Sequence, residues 1–310
     1  MRRIAVALAT IPALLAAPAH AKPIRLEPSS DWQLREYDDK CRMIRTFGKG
    51  EDETTLWIDK GGPGPTVNLT LIGRPVRSPY GAYIRVAFAP GDPVDRNFIT
   101  ATSSKGRPVL GLFGVEPVSQ MAEQAEVAAP APAEDKGEES VDLVAATPAQ
   151  FASVETLQKR YAAITALELS GAVIDPITLE LDDVFPMADQ LLTCTTQLSK
   201  RLSRNPAEEG GLAKPATTVD EAMWAMKIQE NYPAHLLRAE QQGTVAVRLT
   251  VDKQGRASFC EVTGYSGPVS FNETACLQLL RHARFDPARD ASGAPVASFY
   301  ATRITYRLNK

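Results

Sequence analysis

The feature that most constrains this chain is the strict alternation that begins at Thr244. Val245, Val247, Leu249 and Val251 fall on one side of an extended chain, and Thr244, Ala246, Arg248 and Thr250 fall on the other, because successive side chains of a strand point to opposite faces. The pattern predicts a half-buried antiparallel strand. Asp252-Lys253-Gln254-Gly255 reads as a turn, and Arg256 to Thr263 resumes the alternation with Ser258, Cys260 and Val262 on one face, so a hairpin is expected. Ser270 and Glu273 have the spacing of a capping box, and the residues after them set Cys276, Leu279, Leu280 and Ala283 along one stripe. Such a stripe must pack on the hairpin. Ser298 to Leu308 supplies a closing strand, with Tyr300, Ile304, Tyr306 and Leu308 inward and Arg303 and Arg307 outward. Upstream, Val219 to Glu230 reads as a helix, and Tyr232-Pro233 opens a short helical stretch that Gly243 ends.

The start of the chain sets the chemistry of its cysteines. Arg2 and Arg3, the apolar run Ile4 to Ala17 and the small-x-small step Ala19-His20-Ala21 have the layout of a secretory signal over residues 1–21, with the mature chain starting near Lys22. The apolar run is roughly 14 residues long and interrupted by Pro12, short of the ~20 that a spanning helix needs. An uncleaved anchor is the alternative reading. Export to an oxidising compartment favours disulfides among Cys41, Cys194, Cys260 and Cys276, and no CxxC or Cys/His metal spacing is present. Cys260 on the hairpin and Cys276 on the helix stripe can face each other. The pairing Cys260–Cys276 is therefore expected, and Cys41–Cys194 follows by elimination.

The rest of the chain divides by composition. Asp31 to about Val115 is β-dominated, with runs at Thr54 to Asp59, Val67 to Ile72, Tyr83 to Phe88 and Pro108 to Phe113 between Gly/Pro clusters. Gly61-Gly62-Pro63-Gly64-Pro65 lacks the phosphate-loop pattern, and its prolines remove amide donors, so it reads as a turn. Residues 124–147 are rich in Ala, Pro, Glu and Lys and read as a loop or disordered insertion. Two further strands are expected at Ala163 to Leu169 and Ile177 to Leu181, then a helix from Met187 to Leu202 with Leu191, Cys194, Leu198 and Leu202 on one stripe. Glu180, Asp182 and Asp183 lack an EF-hand loop and read as a solvated strand end. A linker at 203–218 would separate a β-rich N-terminal domain, 22–202, from a C-terminal domain, 219–310.

The order Tyr232-Pro233, the Gly243 strand with its Gly255 turn, the Ser266-Gly267 step, Arg284-Phe285-Asp286-Pro287, Gly293 and a closing strand resembles the C-terminal domain of the TonB energy-transducer family. The likeness covers about ninety residues. It implies an α+β module with a three-stranded antiparallel sheet and two helices in the bacterial periplasm, and a partner that adds a strand to that sheet, such as a TonB-dependent outer-membrane receptor. Contact is then expected at Tyr232 and Pro233 and along the closing strand at Phe299, Ala301, Arg303, Thr305 and Arg307, an exposed edge with free main-chain groups. The same edge could serve a homodimer, and the two arginines could equally serve as edge protection.

Charge and motif content narrow the class. From Lys227 to Lys310 there are 11 Lys/Arg against 7 Asp/Glu within a chain of net charge -3, which suits a protein partner and lacks the dense basic stripe of a nucleic-acid binder. His235 and His282 stand far from any GxSxG or HExxH pattern. No enzyme, metal site or small-molecule cofactor is expected, with loop carboxylates Asp38, Asp39, Asp92 and Asp95 the residual candidates for acid/base chemistry. The reading is a periplasmic adaptor that docks an envelope protein; the alternative is a membrane-anchored TonB transducer.

Overall fold

The computed structural model describes residues 23–62, 64–78, 81, 83–118, 154–203 and 212–308. The expected signal at 1–21 and the insertion at 124–147 lie outside the described residues. In chain order the N-terminal half comprises β1 (Ile24–Leu26), β2 (Gln33–Glu36), β3 (Cys41–Phe47), β4 (Thr54–Lys60), β5 (Val67–Gly73), β6 (Ile84–Ala89), β7 (Val94–Arg96), β8 (Phe98–Thr102), β9 (Pro108–Val115), α1 (Val154–Ala162), β10 (Ala166–Gly171), β11 (Ile177–Glu180) and α2 (Phe185–Leu202).

Two sheets carry this half. One runs β2-β3-β4-β5-β9-β8 and the other β1-β11-β10-β6-β7. Alternation drives the first: along β3, Cys41, Met43, Arg45 and Phe47 are buried while the residues between them are half-exposed. A single apolar core joins residues of both sheets to Met187, Leu191, Leu198 and Leu202 of α2. The stripe on α2 is the one the sequence predicts, and it includes Cys194, whose disulfide to Cys41 ties β3 to α2 across 153 residues. The acidic group after β11 is held by cations and a helix start. Glu180 pairs with Arg25, Asp182 with Arg45, and Asp183 accepts the amide of Phe185.

The C-terminal half comprises β12 (Leu212–Lys214), β13 (Thr217–Val219), α3 (Glu221–Glu230), α4 (Ala234–Arg238), β14 (Gly243–Val251), β15 (Ala257–Ser266), α5 (Ser270–His282), β16 (Arg284–Asp286), β17 (Ala288–Asp290), β18 (Pro295–Val296) and β19 (Ser298–Tyr306). The class is α+β, and the central sheet has three antiparallel strands in the order β15-β14-β19. Val245, Val247, Leu249 and Val251 meet Phe271, Ala275 and Leu279 of α5 in a second core. Cys260–Cys276 joins β15 to α5 across that interface, as the stripe argument predicts.

Four local expectations are corrected. β14 is not half-buried: Thr244, Ala246 and Thr250 on its second face are 6%, 9% and 1% exposed, and the N-terminal half reaches that face at Thr250. The capping box does not form, since Ser270 begins the helix without capping it and Glu273 instead accepts the amide of Asn97 at 2.6 Å. Leu212–Lys214 and Thr217–Val219, placed in a linker by composition, are strands paired with β17 and β16. The short helix stops at Arg238 rather than at Gly243, which opens β14.

Candidate partner-docking site

The sheet β15-β14-β19 has two faces and two edges, and the sequence disposes of them differently. Its aliphatic face is sealed by α5. The opposite face carries Thr250, Phe259, Arg248, Glu261 and, on β19, Phe299 and Ala301 in register. The Thr250, Phe259 and Glu261 part of this face is covered by the end of β4 and the Gly-rich turn after it. Thr250 Oγ1 donates to Gly61 O at 2.9 Å, and a Cβ on Gly61 would lie 2.5 Å from Phe259 Cβ. A Cβ on Gly64 would strike the Glu261 carboxylate. The turn is therefore glycine-rich because two side chains of the C-terminal sheet press on it, a reason no local reading of Gly61 to Pro65 contains.

Charge is buried at the same contact. Glu261, with 7% of its side chain exposed, accepts from Arg248 Nε at 3.0 Å, and the Arg248 guanidinium lies 5.0 Å over the Phe299 ring. Lys60, 8% exposed, donates to the carbonyls of Gly64 and Thr66. Burial, the dominant cause, pushes its ammonium down to about 8, while the nearby Glu261 carboxylate pulls the other way. At the rim, Lys253 pairs with Asp38 at 3.0 Å. The two halves thus meet through a face, leaving the outer edge of β19 without a paired strand among the described residues.

The predicted contact residues do not gather in one place. Phe299 is half-buried and packs against the N-terminal core. Ala301, Arg303 and Thr305 are exposed along β19, and Arg307 is exposed just past its end. Thr305 already has a partner: Gln229 Nε2 of α3 donates to its carbonyl at 2.7 Å. Tyr232 lies at the far end of β19 from Phe299, edge-on to Phe271 at 5.3 Å and to Tyr306 at 5.4 Å, with its hydroxyl donating to Gln241 O. Pro233 precedes α4 and its carbonyl accepts the amides of Leu236 and Leu237. In this structure Tyr232 belongs to the module's own aromatic cluster with Phe271 and Tyr306, and Pro233 starts α4. Gln229, Lys60 and Glu261 carry no sequence signal: Gln229 reaches a carbonyl 76 residues away, and Lys60 and Glu261 meet from different halves of the chain.

The residual catalytic candidates are spread over ion pairs. Asp38 pairs with Lys253 and Asp95 with Arg85. Among the described residues no group of three His, Cys, Asp or Glu could hold a metal ion.

The module thus has an α+β fold with one sheet face under a helix and one strand edge unpaired among the described residues. Residues 228–308 match the family described as Gram-negative bacterial TonB protein C-terminal, and they form a TonB C-terminal domain. No curated protein and no solved structure matches the chain. The match supports a TonB-like protein-interaction or energy-transducer role. Among the described residues no helix is long and apolar enough to cross a membrane.

Proposed function

We propose that the chain is a periplasmic TonB-like adaptor in which a β-rich domain, 22–202, rides on a TonB C-terminal module, 219–310, and the module docks an envelope partner by adding its strand to β19. The observation that carries this is the division of labour on the sheet: α5 covers one face, the N-terminal half covers the Thr250 and Phe259 end of the other, and the outer edge of β19 is unpaired among the described strands. The bond from Gln229 to Thr305 O supports the polarity of that edge, because it approaches from the side away from β14. Residues of an antiparallel strand alternate between bonding their neighbour and pointing away. On that count Phe299, Ala301, Arg303 and Thr305 turn their main-chain groups outward, and Arg303 and Arg307 put positive charge beside them. An extended segment of a TonB-dependent outer-membrane receptor is the partner that the family match favours. Signal cleavage near Lys22 would free the protein in the periplasm.

The test is Arg303→Pro, which removes one outward donor without touching the bonds to β14. Binding of an extended receptor-derived peptide is expected to fall by about tenfold for one lost hydrogen bond and the ring's steric intrusion. Peptide binding equal to that of the parent would rule out strand addition at this edge.

A further inference from the structure

Apart from the docking edge, the N-terminal half contains a cavity of about 290 Å³ between β4, β5 and the two helices α1 and α2. Its wall is aliphatic and aromatic, with Ile58, Val67, Phe88, Leu157, Ile164 and Leu191 prominent. Only two lining residues carry charge, and they differ in setting: Asp189 is exposed on α2, whereas Lys60 is buried at the end of β4. Ile58 and Lys60 are two apart on one strand and so face the same side of the sheet. Lys60 is drawn toward Gly64 and Thr66, and Gly64 and Pro65 line the cavity beside it.

The charge balance there is uneven. Lys60 and Arg248 bring two cations to one carboxylate, Glu261, and Glu261 is already bonded to Arg248. One positive charge is left in excess at a buried place, where an added anion would meet little screening. Concave apolar sites with one or a few placed polar groups are how proteins hold small ligands.

We propose that this cavity binds a medium-chain fatty-acid carboxylate, with the acyl chain against the aliphatic wall and the carboxylate at Lys60. The chain matches the lining, and the head matches Lys60, the one cation among the described lining residues. Burial lowers Lys60 only to about 8, so it keeps its proton at neutral pH. A neutral ligand of the same length would gain no charge-assisted contact at Lys60.

The experiment is calorimetric titration of the full mature chain with decanoate, kept below its micelle concentration, and with 1-decanol as the uncharged probe. Decanoate is expected to saturate a single site and to bind at least about tenfold more tightly than decanol, the difference a charge-assisted hydrogen bond supplies. Ala188→Phe, which places a ring in the cavity from α2, should abolish binding of both. Lys60→Met should weaken decanoate by about tenfold and leave decanol within about twofold. The comparison of the two probes on the parent needs no variant. Equal affinity for both probes, absence of saturation, or decanoate binding undiminished in a folded Ala188→Phe protein would each overturn the assignment.

Discussion

The two halves of the molecule close their cores by opposite routes. In the C-terminal half the central strand pairs with the next strand through the turn at Asp252 to Gly255, and the helix that follows covers them, so Cys260 and Cys276 meet only 16 residues apart. The N-terminal half closes over long distances. β1 runs parallel to β11, Ile24 beside Ile177, and Cys41 reaches Cys194 across 153 residues. Contacts that are local in sequence form with little loop entropy, and distant ones must overcome it. The comparison teaches that the TonB module holds itself together, while the N-terminal half depends on its closures. The contact between them, through Thr250, Phe259 and Glu261, is a third, separate layer of stability.

The sharpest way to break this contrast is to remove each disulfide in turn. In the chain-entropy account, the 153-residue loop should cost about 5 kcal/mol to open and the 16-residue loop about 3. Equilibrium denaturation of Cys41→Ala/Cys194→Ala and of Cys260→Ala/Cys276→Ala is expected to show that order. A larger loss from the second pair would contradict the contrast between the halves.

The next effect lies at the junction. Folded Lys60 loses its proton near 8, whereas a free lysine keeps it to about 10.4. Between these values the unfolded state binds more protons, so unfolding free energy rises with pH, by at most roughly 3 kcal/mol. Denaturant melts from pH 7 to pH 9.5 should show this rise in the parent, and Lys60→Met should flatten it. Measurement stops short of pH 10 because burial raises Tyr232, Tyr300 and Tyr306, whose contribution runs the other way.

A smaller change tests whether the glycine turn is shaped by the other half. Gly61→Ala should destabilise the chain by about 1–3 kcal/mol through overpacking against Phe259. In the Phe259→Ala background the same change should cost much less, a coupling that a double-mutant cycle reads directly. Additive losses would mean that the turn and β15 do not press on each other.

Much of the C-terminal half was legible because its information is periodic and close at hand. The alternation over Thr244 to Val251 places β14, and the stripe through Cys276 and Leu279 places α5 and its disulfide. The same alternation misjudged exposure: Thr250 is buried against Gly61 of the N-terminal half, a contact that leaves no trace in β14 itself. Glu273 fits a capping box by spacing and bonds Asn97 instead, 176 residues away. In the N-terminal half the runs that became β4, β5, β6 and β9 were visible, while the three-residue strands β1 and β7 are too short for a period to show. Of the proposed docking edge, the exposed row Ala301, Arg303 and Thr305 is readable from alternation in β19. The cover on Thr305 by Gln229 was not, since a side-chain amide on a neighbouring helix has no sequence signature.

The central proposal is that the outer edge of β19 is the docking surface, and residue-resolved amide hydrogen exchange on residues 22–310 tests it most directly. In the free protein the amides of Ala301 and Arg303 should exchange rapidly, while those of Thr302 and Ile304, bonded to β14, stay protected. Adding a receptor-derived extended peptide should slow Ala301 and Arg303 and leave Thr302 and Ile304 unchanged. Protection of Ala301 and Arg303 before any partner is added, or peptide protection that falls elsewhere and spares β19, would contradict the account.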